Sequence, residues 1–369
     1  MFRVMGWFLL RPDAIKVLSD EGARRSLNRY FGILEGRYHP KFMIASRIPV
    51  DFSVDDSLRS LWDIHRGALE EYRRLEHRID GGEVKLEDVP VPQHSLLDLK
   101  AVIVRRLLEE CCFCERRCRV NRIKGEVGFC RCGEMFLLSS AFHHLGEEPE
   151  LVPSGTVFSI GCNLVCLHCQ NWTISQRYEA GDPISVRELA RIVEKLKREG
   201  CRNCNMVGGD PTPWLHVWID TFRYVKASIP TVWNSNSYYS VEASELLKGF
   251  IDVYLLDFKY GSDRCAERIS SAPRYVEVCR RNHLEAMKSG ELIIRILLLP
   301  EHIECCAKPI LEWIAENLGT WVRVNIMDQY TPHWRAYEVP ELRRRLYREE
   351  YEEALRYARR LGFTNIVPP

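Results

Sequence analysis

Neither sign of charge dominates this chain. Its 52 Lys and Arg stand against 51 Asp and Glu, a formal net charge of +1 at pH 7. No long-range electrostatic bias therefore points to nucleic acid or to an acidic membrane as a partner. Long apolar runs are missing too: no stretch approaches the ~20 residues of a membrane helix. The opening segment MFRVMGWFLLRPDAIK holds an apolar run too short for a secretory signal and has no small-residue cleavage site. Internal repeats and low-complexity tracts are absent as well. These absences lead to the expectation of a cytoplasmic protein with neither nucleic acid nor membrane among its partners. Hydrophobic residues at 46% and charged residues at 28% leave an ordinary globular composition, and 369 residues suffice to bury a core without staples.

Cysteine, by contrast, is plentiful. The chain has 15, an odd number. With no export signal in view, disulfides explain them poorly, and metal or redox chemistry in a reducing compartment explains them better.

The chain changes texture along its length. Residues 54–79 place Leu58, Leu61, Trp62, Ile64, Leu69 and Tyr72 at helical spacing, with Asp55, Asp56 and Ser57 suited to the N-terminal end. Residues 1–100 are expected to form a mostly helical N-terminal region. Residues 101–150 form a segment dense in cysteine and arginine. From about 151 to 335, six short apolar runs (GTVFSIG, NMVGG, TVWNS, DVYLLDFKY, LIIRILLLP, TWVRVNIMD) alternate with amphipathic helical patterns. Such alternation predicts an α/β fold, a parallel sheet with helices outside it that closes into a barrel or part of one. Residues 336–369 read as a charged helical extension whose charges are solvated.

In the run IGCNLVCLHCQNW, residues 160–172, Cys162, Cys166 and Cys169 are set at C-x3-C-x2-C with no fourth cysteine nearby. Three thiolates can wrap one corner of a four-iron cubane and leave the fourth iron open, as a catalytic metal site does and a structural one does not. The competing readings are a core loop with recurring cysteines and a zinc site completed by His168. In a barrel, active sites gather where strands end at their C-terminal side. Gly208-Gly209-Asp210, Asn234, Asp257-Phe258-Lys259, Arg295 and Asp328-Gln329-Tyr330 all fall at such ends.

This spacing resembles the radical S-adenosylmethionine superfamily, in which the open iron is chelated by the amino and carboxylate groups of that cofactor. CQNWTIS, VGGDPTP, VWNSNSYYS, LLDFKY, RILLLP and NIMDQYTP extend the resemblance in order over residues 40–365. They look like a branch similar to pyruvate formate-lyase activating enzyme. The resemblance implies a partial (β/α)6 barrel, a [4Fe–4S] cluster and S-adenosylmethionine as cofactors, and an oxidoreductase. Such an enzyme cleaves S-adenosylmethionine reductively to a 5′-deoxyadenosyl radical and then abstracts a hydrogen atom from a substrate. Cys162, Cys166 and Cys169 are then cluster ligands. Gly208 and Gly209 let backbone approach the methionine ammonium, and Asp210, where many relatives carry Glu, helps hold it. Asn234 and Ser235 reach the ribose or methionine end. Asp257 and Lys259 sit beside the cofactor carboxylate, Arg295 offers a planar fork to it, and His168 lies where aromatics flank adenine. Bland alternatives stand beside these: a structural ion pair for Asp257 and Lys259, a barrel-interior counter-ion for Arg295, a strand-end cap for Asn234.

Upstream, CCFCERRCRVNRIKGEVGFC places Cys111, Cys114, Cys118 and Cys130 at C-x2-C-x3-C-x11-C. Four thiolates close a site, so a second iron–sulfur cluster or a structural zinc is expected there. Arg116, Arg117, Arg119, Arg122 and Lys124 are expected to offset thiolate charge, with an acidic partner as the alternative. Cys201 and Cys204 read as packing. Expected partners are S-adenosylmethionine, an electron donor such as ferredoxin or flavodoxin, and a substrate the sequence does not name, a protein or peptide among the options. A glycyl radical on a partner protein is one product this branch suggests. The reading from a different class is a non-catalytic iron–sulfur or zinc protein, a scaffold or electron carrier.

Overall fold

A computed structural model describes residues 6–179 and 181–368. Eight strands form one sheet: β1 (Phe136–His144), β2 (Ser154–Ser159), β3 (Asp182–Ile184), β4 (Asn203–Met206), β5 (Thr231–Ser235), β6 (Val253–Asp257), β7 (Glu291–Leu297) and β8 (Arg323–Met327). Their spatial order is β3-β1-β2-β4-β5-β6-β7-β8. All pairings from β2 through β8 are parallel. These are the six strands expected from the alternation of apolar runs with helical patterns. Parallel neighbours require crossovers, and helices supply them: Val186–Arg198 before β4, Leu215–Phe222 before β5, Val241–Leu247 before β6, Tyr275–Ser289 before β7 and Lys308–Asn317 before β8.

Local sequence explains these elements. Val186–Arg198 opens with a capping box between Ser185 and Glu188 and buries Leu189, Ala190, Val193 and Leu196, one stripe at helical period. The long N-terminal helix runs Leu58–Asp80, with the Ser57 hydroxyl accepting from the Ser60 amide. It therefore begins after Asp55 and Asp56, because Ser57 takes the capping position. The terminal charged run is helical over Arg348–Arg360 and buries Ala354 and Ala358.

The sheet is open, and the N-terminal region covers one end of its inner face. Leu27, Tyr30 and Phe31 pack with Val232, Val253, Leu255 and Ile293. Side chains alternate along a strand, so Val253 and Leu255 continue on the same face to Asp257. The segment around Asn28–Leu34 thus fills the lower interior with apolar surface, each large side chain contributing roughly 1.5–3 kcal/mol. The polar residues of the same strand faces are left at the opposite end.

Two strands lay outside the sequence expectation. β1 pairs antiparallel with β2 and with the three-residue β3, widening the sheet from six strands to eight. β1 lies between the cysteine-rich run and the barrel, where the helical pattern gives no cue.

Candidate functional site

The loop that follows β2 carries Cys162, Cys166 and Cys169. Its path is set by backbone contacts. The Gly161 amide donates to Ile174 O at 2.9 Å, Val165 N to Ser270 O at 3.2 Å and Leu167 N to Ile269 O at 2.9 Å. Cys162 and Cys166 are buried and Cys169 is half-buried. Donors approach the sulfurs: Leu164 N reaches Cys162 Sγ at 3.4 Å, Asn236 Nδ2 reaches it at 3.5 Å, and Ser175 Oγ lies 3.3 Å from Cys169 Sγ. Hydrogen bonds to cluster thiolates tune their potential.

Gly208 and Gly209 form the next wall. Gly208 has φ +121°, and a Cβ there would stand 2.2 Å from Ser159 Oγ; one at Gly209 would stand 2.2 Å from Gly161 O. The bare backbone of these glycines meets the cysteine loop itself. Gly209 N donates to Ser159 O at 3.0 Å and Asp210 N to Gly161 O at 3.1 Å. The Asp210 carboxylate, buried, accepts from Thr212 N at 2.9 Å, Ser235 Oγ at 3.0 Å and Asn236 N at 2.8 Å. Burial pushes this carboxyl up from its usual range. Asp210 and Ser235 thus tie the ends of β4 and β5 together at the mouth of the barrel.

At the end of β6, Lys259 Nζ donates to Asp257 Oδ2 at 2.7 Å. Burial disfavours the Lys259 charge, but Asp257 and the Cys166 sulfur outweigh it and raise its pKa. Burial likewise lifts the Cys166 thiol to about 11, with Lys259 pulling the other way. The ammonium therefore lies within electrostatic reach of the cysteine loop. His168 Nε2 lies 3.3 Å from Tyr260 Oη, and the His168 ring meets Tyr330 edge-on at 5.7 Å. Burial, then Lys259, pushes His168 down to about 3, so the ring is neutral near pH 7.

Arg295, on β7, takes the counter-ion arrangement. Its Nε donates to Glu148 Oε1 at 2.6 Å, Nη2 to Glu148 Oε2 at 2.6 Å, and Nη1 to Asn234 Oδ1 at 3.2 Å; Nη2 also meets Glu147. The fork expected to face a cofactor carboxylate holds Glu148 here, and Asn234 is engaged by Arg295. Asn325 Nδ2 completes the network on Glu148 at 2.8 Å. Burial raises the Glu147 carboxyl, yet Arg295 and His144 outweigh that and hold it at about 2. Glu147 and Glu148 were missed from sequence because nothing local ties the β1–β2 connection to a strand almost 150 residues later. Asn236 and Tyr260 lay inside quoted motifs without a role.

The upstream cysteines join this same site. Cys114 forms a bridge with Tyr239, Ser240 N donates to Phe113 O at 3.0 Å, and Arg116 Nε donates to Asn163 O at 2.9 Å. Burial raises the Cys114 thiol, and Cys130, Cys111 and Cys118 add to it, so these three lie within electrostatic reach of Cys114. Arg122, Arg117 and Arg119 favour the thiolate forms of Cys111, Cys130 and Cys112, and two of them also hold acidic partners. Arg117 pairs with Glu242 at 3.0 Å and Arg119 with Glu110 at 2.8 Å, while buried Arg122 alone of these approaches a thiol, Cys111 Sγ at 3.9 Å. Acidic side chains on neighbouring elements were closer partners than the sulfurs.

Among the described residues, the group that brings three or more thiol, imidazole or carboxylate ligand atoms within 4.8 Å of one another is Cys265, His302, Cys305 and Cys306. Cys162, Cys166 and Cys169 stand wider than one ion requires. That suits a cubane, in which each thiolate binds a different iron. Buried thiols with donors on their sulfurs and a nearby ammonium fit such a cluster.

A sequence model described as the radical SAM superfamily matches residues 156–314. Uncharacterized protein MJ0674 of Methanocaldococcus jannaschii is 43% identical over 338 residues, covering 90% of this chain and 96% of that protein. Uncharacterized protein MJ0808 of the same organism is 30% identical over 233 residues, 58% of this chain and 59% of that one. Among solved structures, Streptococcus suis SuiB bound to precursor peptide SuiA matches with TM-score 0.41 and 15% identity, over 56% of this chain and 46% of that one. SuiB bound to S-adenosylmethionine matches with TM-score 0.41 and 14% identity, over 56% and 47%. The match thus spans less than half the length of SuiB. The family match begins inside β2, runs through the three-cysteine loop and ends within the helix before β8, and so the chain belongs to the radical SAM superfamily.

Proposed function

We propose that this radical SAM protein cleaves S-adenosylmethionine reductively at a cluster held by Cys162, Cys166 and Cys169, and that a substrate at the barrel mouth then gives up a hydrogen atom. The observation that carries the reading is the meeting of three wide-set thiols with the Asp257–Lys259 pair at one end of the sheet, 2.7 Å between its charged atoms. When bound, the [4Fe–4S] cluster and S-adenosylmethionine supply the one-electron cleavage that frees methionine and a 5′-deoxyadenosyl radical.

The residues of this chain do the holding. Asp257 keeps the Lys259 ammonium charged and aimed, ready to meet the cofactor carboxylate. Asp210, fixed by Thr212, Ser235 and Asn236, presents a carboxylate toward an ammonium group. Neutral His168, backed by Tyr260 and Tyr330, offers an uncharged ring to a nucleobase. Gly208 and Gly209 press the cysteine loop against the end of β4. Arg295, Glu147, Glu148 and Asn234 fix the interior below. The N-terminal segment seals the other end and keeps water away from a reactive radical.

The reading extends to the branch similar to pyruvate formate-lyase activating enzyme. A glycyl residue of a partner protein, or another protein or peptide, is then the hydrogen donor, and a ferredoxin or flavodoxin is the electron source. Cys111, Cys114, Cys118 and Cys130 supply four thiolates for a second iron–sulfur cluster or a structural zinc.

The test is anaerobic. The protein is reconstituted with iron and sulfide, reduced with dithionite and given S-adenosylmethionine, and 5′-deoxyadenosine is quantified beside Cys166→Ala. Product from the parent alone supports the proposal. A fully loaded, reduced parent that neither binds S-adenosylmethionine nor forms product would leave an iron–sulfur or zinc scaffold or electron carrier.

A further inference from the structure

Four side chains outside the site just described converge in a way the rest of the fold does not explain. Cys265 lies on the helix Asp263–Ser270 that follows β6. Cys305 and Cys306 lie on a single π-helical turn, Ile303–Ala307, that follows β7, and His302 immediately precedes it. Their ligand atoms all fall within 4.8 Å of one another. Cys265 Sγ is 3.8 Å from Cys305 Sγ, and Cys305 Sγ is 3.9 Å from Cys306 Sγ. His302 Nδ1 stands 3.5 Å from Cys265 Sγ, 3.3 Å from Cys305 Sγ and 3.8 Å from Cys306 Sγ.

These are five of the six edges of a tetrahedron, with the sixth no longer than 4.8 Å, and their lengths match those around a single ion. With Zn–S near 2.3 Å and Zn–N near 2.0–2.1 Å, a regular tetrahedral site has sulfur–sulfur edges of about 3.8 Å and sulfur–nitrogen edges of about 3.5 Å. A disulfide demands a sulfur separation of about 2.05 Å, far below either observed value. A cubane spreads its thiolates over different irons and needs wider spacing. Hydrogen bonding explains the cluster poorly, because three thiols share one imidazole nitrogen.

We propose that Cys265, His302, Cys305 and Cys306 bind one zinc ion in a closed Cys3His site. Three soft thiolates and an imidazole match zinc, and four protein ligands leave no open position, which marks the site as structural. The surroundings agree. Glu341 Oε1 lies 3.7 Å from His302 Nε2, a carboxylate on the side of the ring that a metal at Nδ1 leaves protonated. Arg268 pairs with that same Glu341 and lies 3.5 Å from His302 Nε2. A zinc ion with three thiolates carries one net negative charge, and Arg268 is placed to offset it.

The position gives the ion a task. It would clamp the connection after β6 to the connection after β7. A Cβ at Gly261 would stand 2.6 Å from Cys306 O, so the turn carrying Cys306 rests directly on the residue two places beyond Lys259. Tyr260, between them, is held at 2.5 Å from Ser270 Oγ at the end of the Cys265 helix. The ion therefore holds the backbone that aims Lys259 and Tyr260 into the barrel mouth, without touching substrate or cofactor.

The experiment is metal analysis of the full-length protein. Zinc is expected at one ion per chain in the parent, retained in Cys166→Ala and Cys114→Ser, and that ion lost in Cys265→Ser and in Cys306→Ser. The zinc-edge absorption spectrum of the parent is expected to show three sulfurs and one nitrogen. Zinc retained in both serine variants, or a parent without zinc, would overturn the proposal. If the serine variants do not fold, the parent spectrum decides: a shell of four sulfurs alone would assign the ion to the upstream cysteines and overturn it. Iron found at these four residues instead of zinc would also overturn it. Because zinc content is read without S-adenosylmethionine, the result is independent of the radical chemistry.

Discussion

Arg295 grips Glu148 with two parallel hydrogen bonds, Nε to Oε1 and Nη2 to Oε2, both 2.6 Å, across 147 residues of sequence. Both side chains are largely withdrawn from water, 15% and 1% exposed. Removing one partner strands the other charge inside the barrel, which costs about 3–5 kcal/mol. Arg295→Met, which strands both Glu148 and Glu147, is expected to lower stability by at least that much in denaturant unfolding, and Glu148→Gln, which leaves Arg295 its contact with Glu147, by less. The double variant Arg295→Met/Glu148→Met, in which only Glu147 is left without its arginine, should lose less than the sum of the two single losses. Additive losses would show that the two groups do not act as a pair.

Lys259 and Asp257 are expected to matter for the cofactor more than for the fold. Loss of a hydrogen bond to a charged group costs about 1.5–3 kcal/mol, or roughly 10- to 100-fold in affinity. Lys259→Met should weaken S-adenosylmethionine binding to the reconstituted protein by that factor, measured by equilibrium dialysis, with iron content unchanged. Unchanged affinity would reduce the pair to a structural ion pair.

Gly209 tests the close approach of backbone to the cysteine loop. In Gly209→Ala the new Cβ would meet the Gly161 carbonyl at 2.2 Å, and backbone cannot swing aside as a flexible side chain can. The loop carrying Cys162 must shift. Iron bound after reconstitution should fall at least severalfold while the far-ultraviolet circular dichroism of the apo protein stays close to the parent. Full iron loading would show that the loop has slack.

His283 links stability to pH. It is buried, its Nδ1 donates to Cys279 O at 2.8 Å, and burial pushes its pKa down to about 4. The unfolded chain takes up this proton near pH 6.5, the folded chain only near 4. Between those values the unfolded state binds more protons, so stability rises with pH, by up to about 1.4 kcal/mol per unit for one group. The contribution is fully present above about 6.5 and is lost as pH falls toward 4. His283→Met should flatten that part of the profile in the apo protein, compared by urea unfolding at pH 4.5, 5.5 and 7. Parallel profiles for parent and variant would refute the assignment.

Periodicity and spacing made much of this protein legible. The three thiols at Cys162, Cys166 and Cys169 lie within eight residues, so their chemistry is written in a local pattern. The six parallel strands were visible because each is a short apolar run bounded by a helical pattern. Strand β1 was not, because its half-buried faces carry no clean alternation and it follows a cysteine- and arginine-rich run with no strand pattern of its own.

What tertiary structure decided are the contacts between strand ends far apart in the chain. Arg295 was a candidate cofactor ligand by position, and only folding brings Glu147 and Glu148 under the barrel to occupy it. Gly208 and Gly209 were expected to let backbone approach the methionine ammonium, and what the fold brings against them is the backbone of Ser159 and Gly161. Cys265 lies 40 residues before Cys305, with a helix and a strand between them, and no spacing rule joins it to the local run His302, Cys305 and Cys306. The parallel sheet sets them side by side, because neighbouring strands deliver their following turns to the same edge. Sequence determined which side chains carry chemistry; the register of the sheet determined which of them meet.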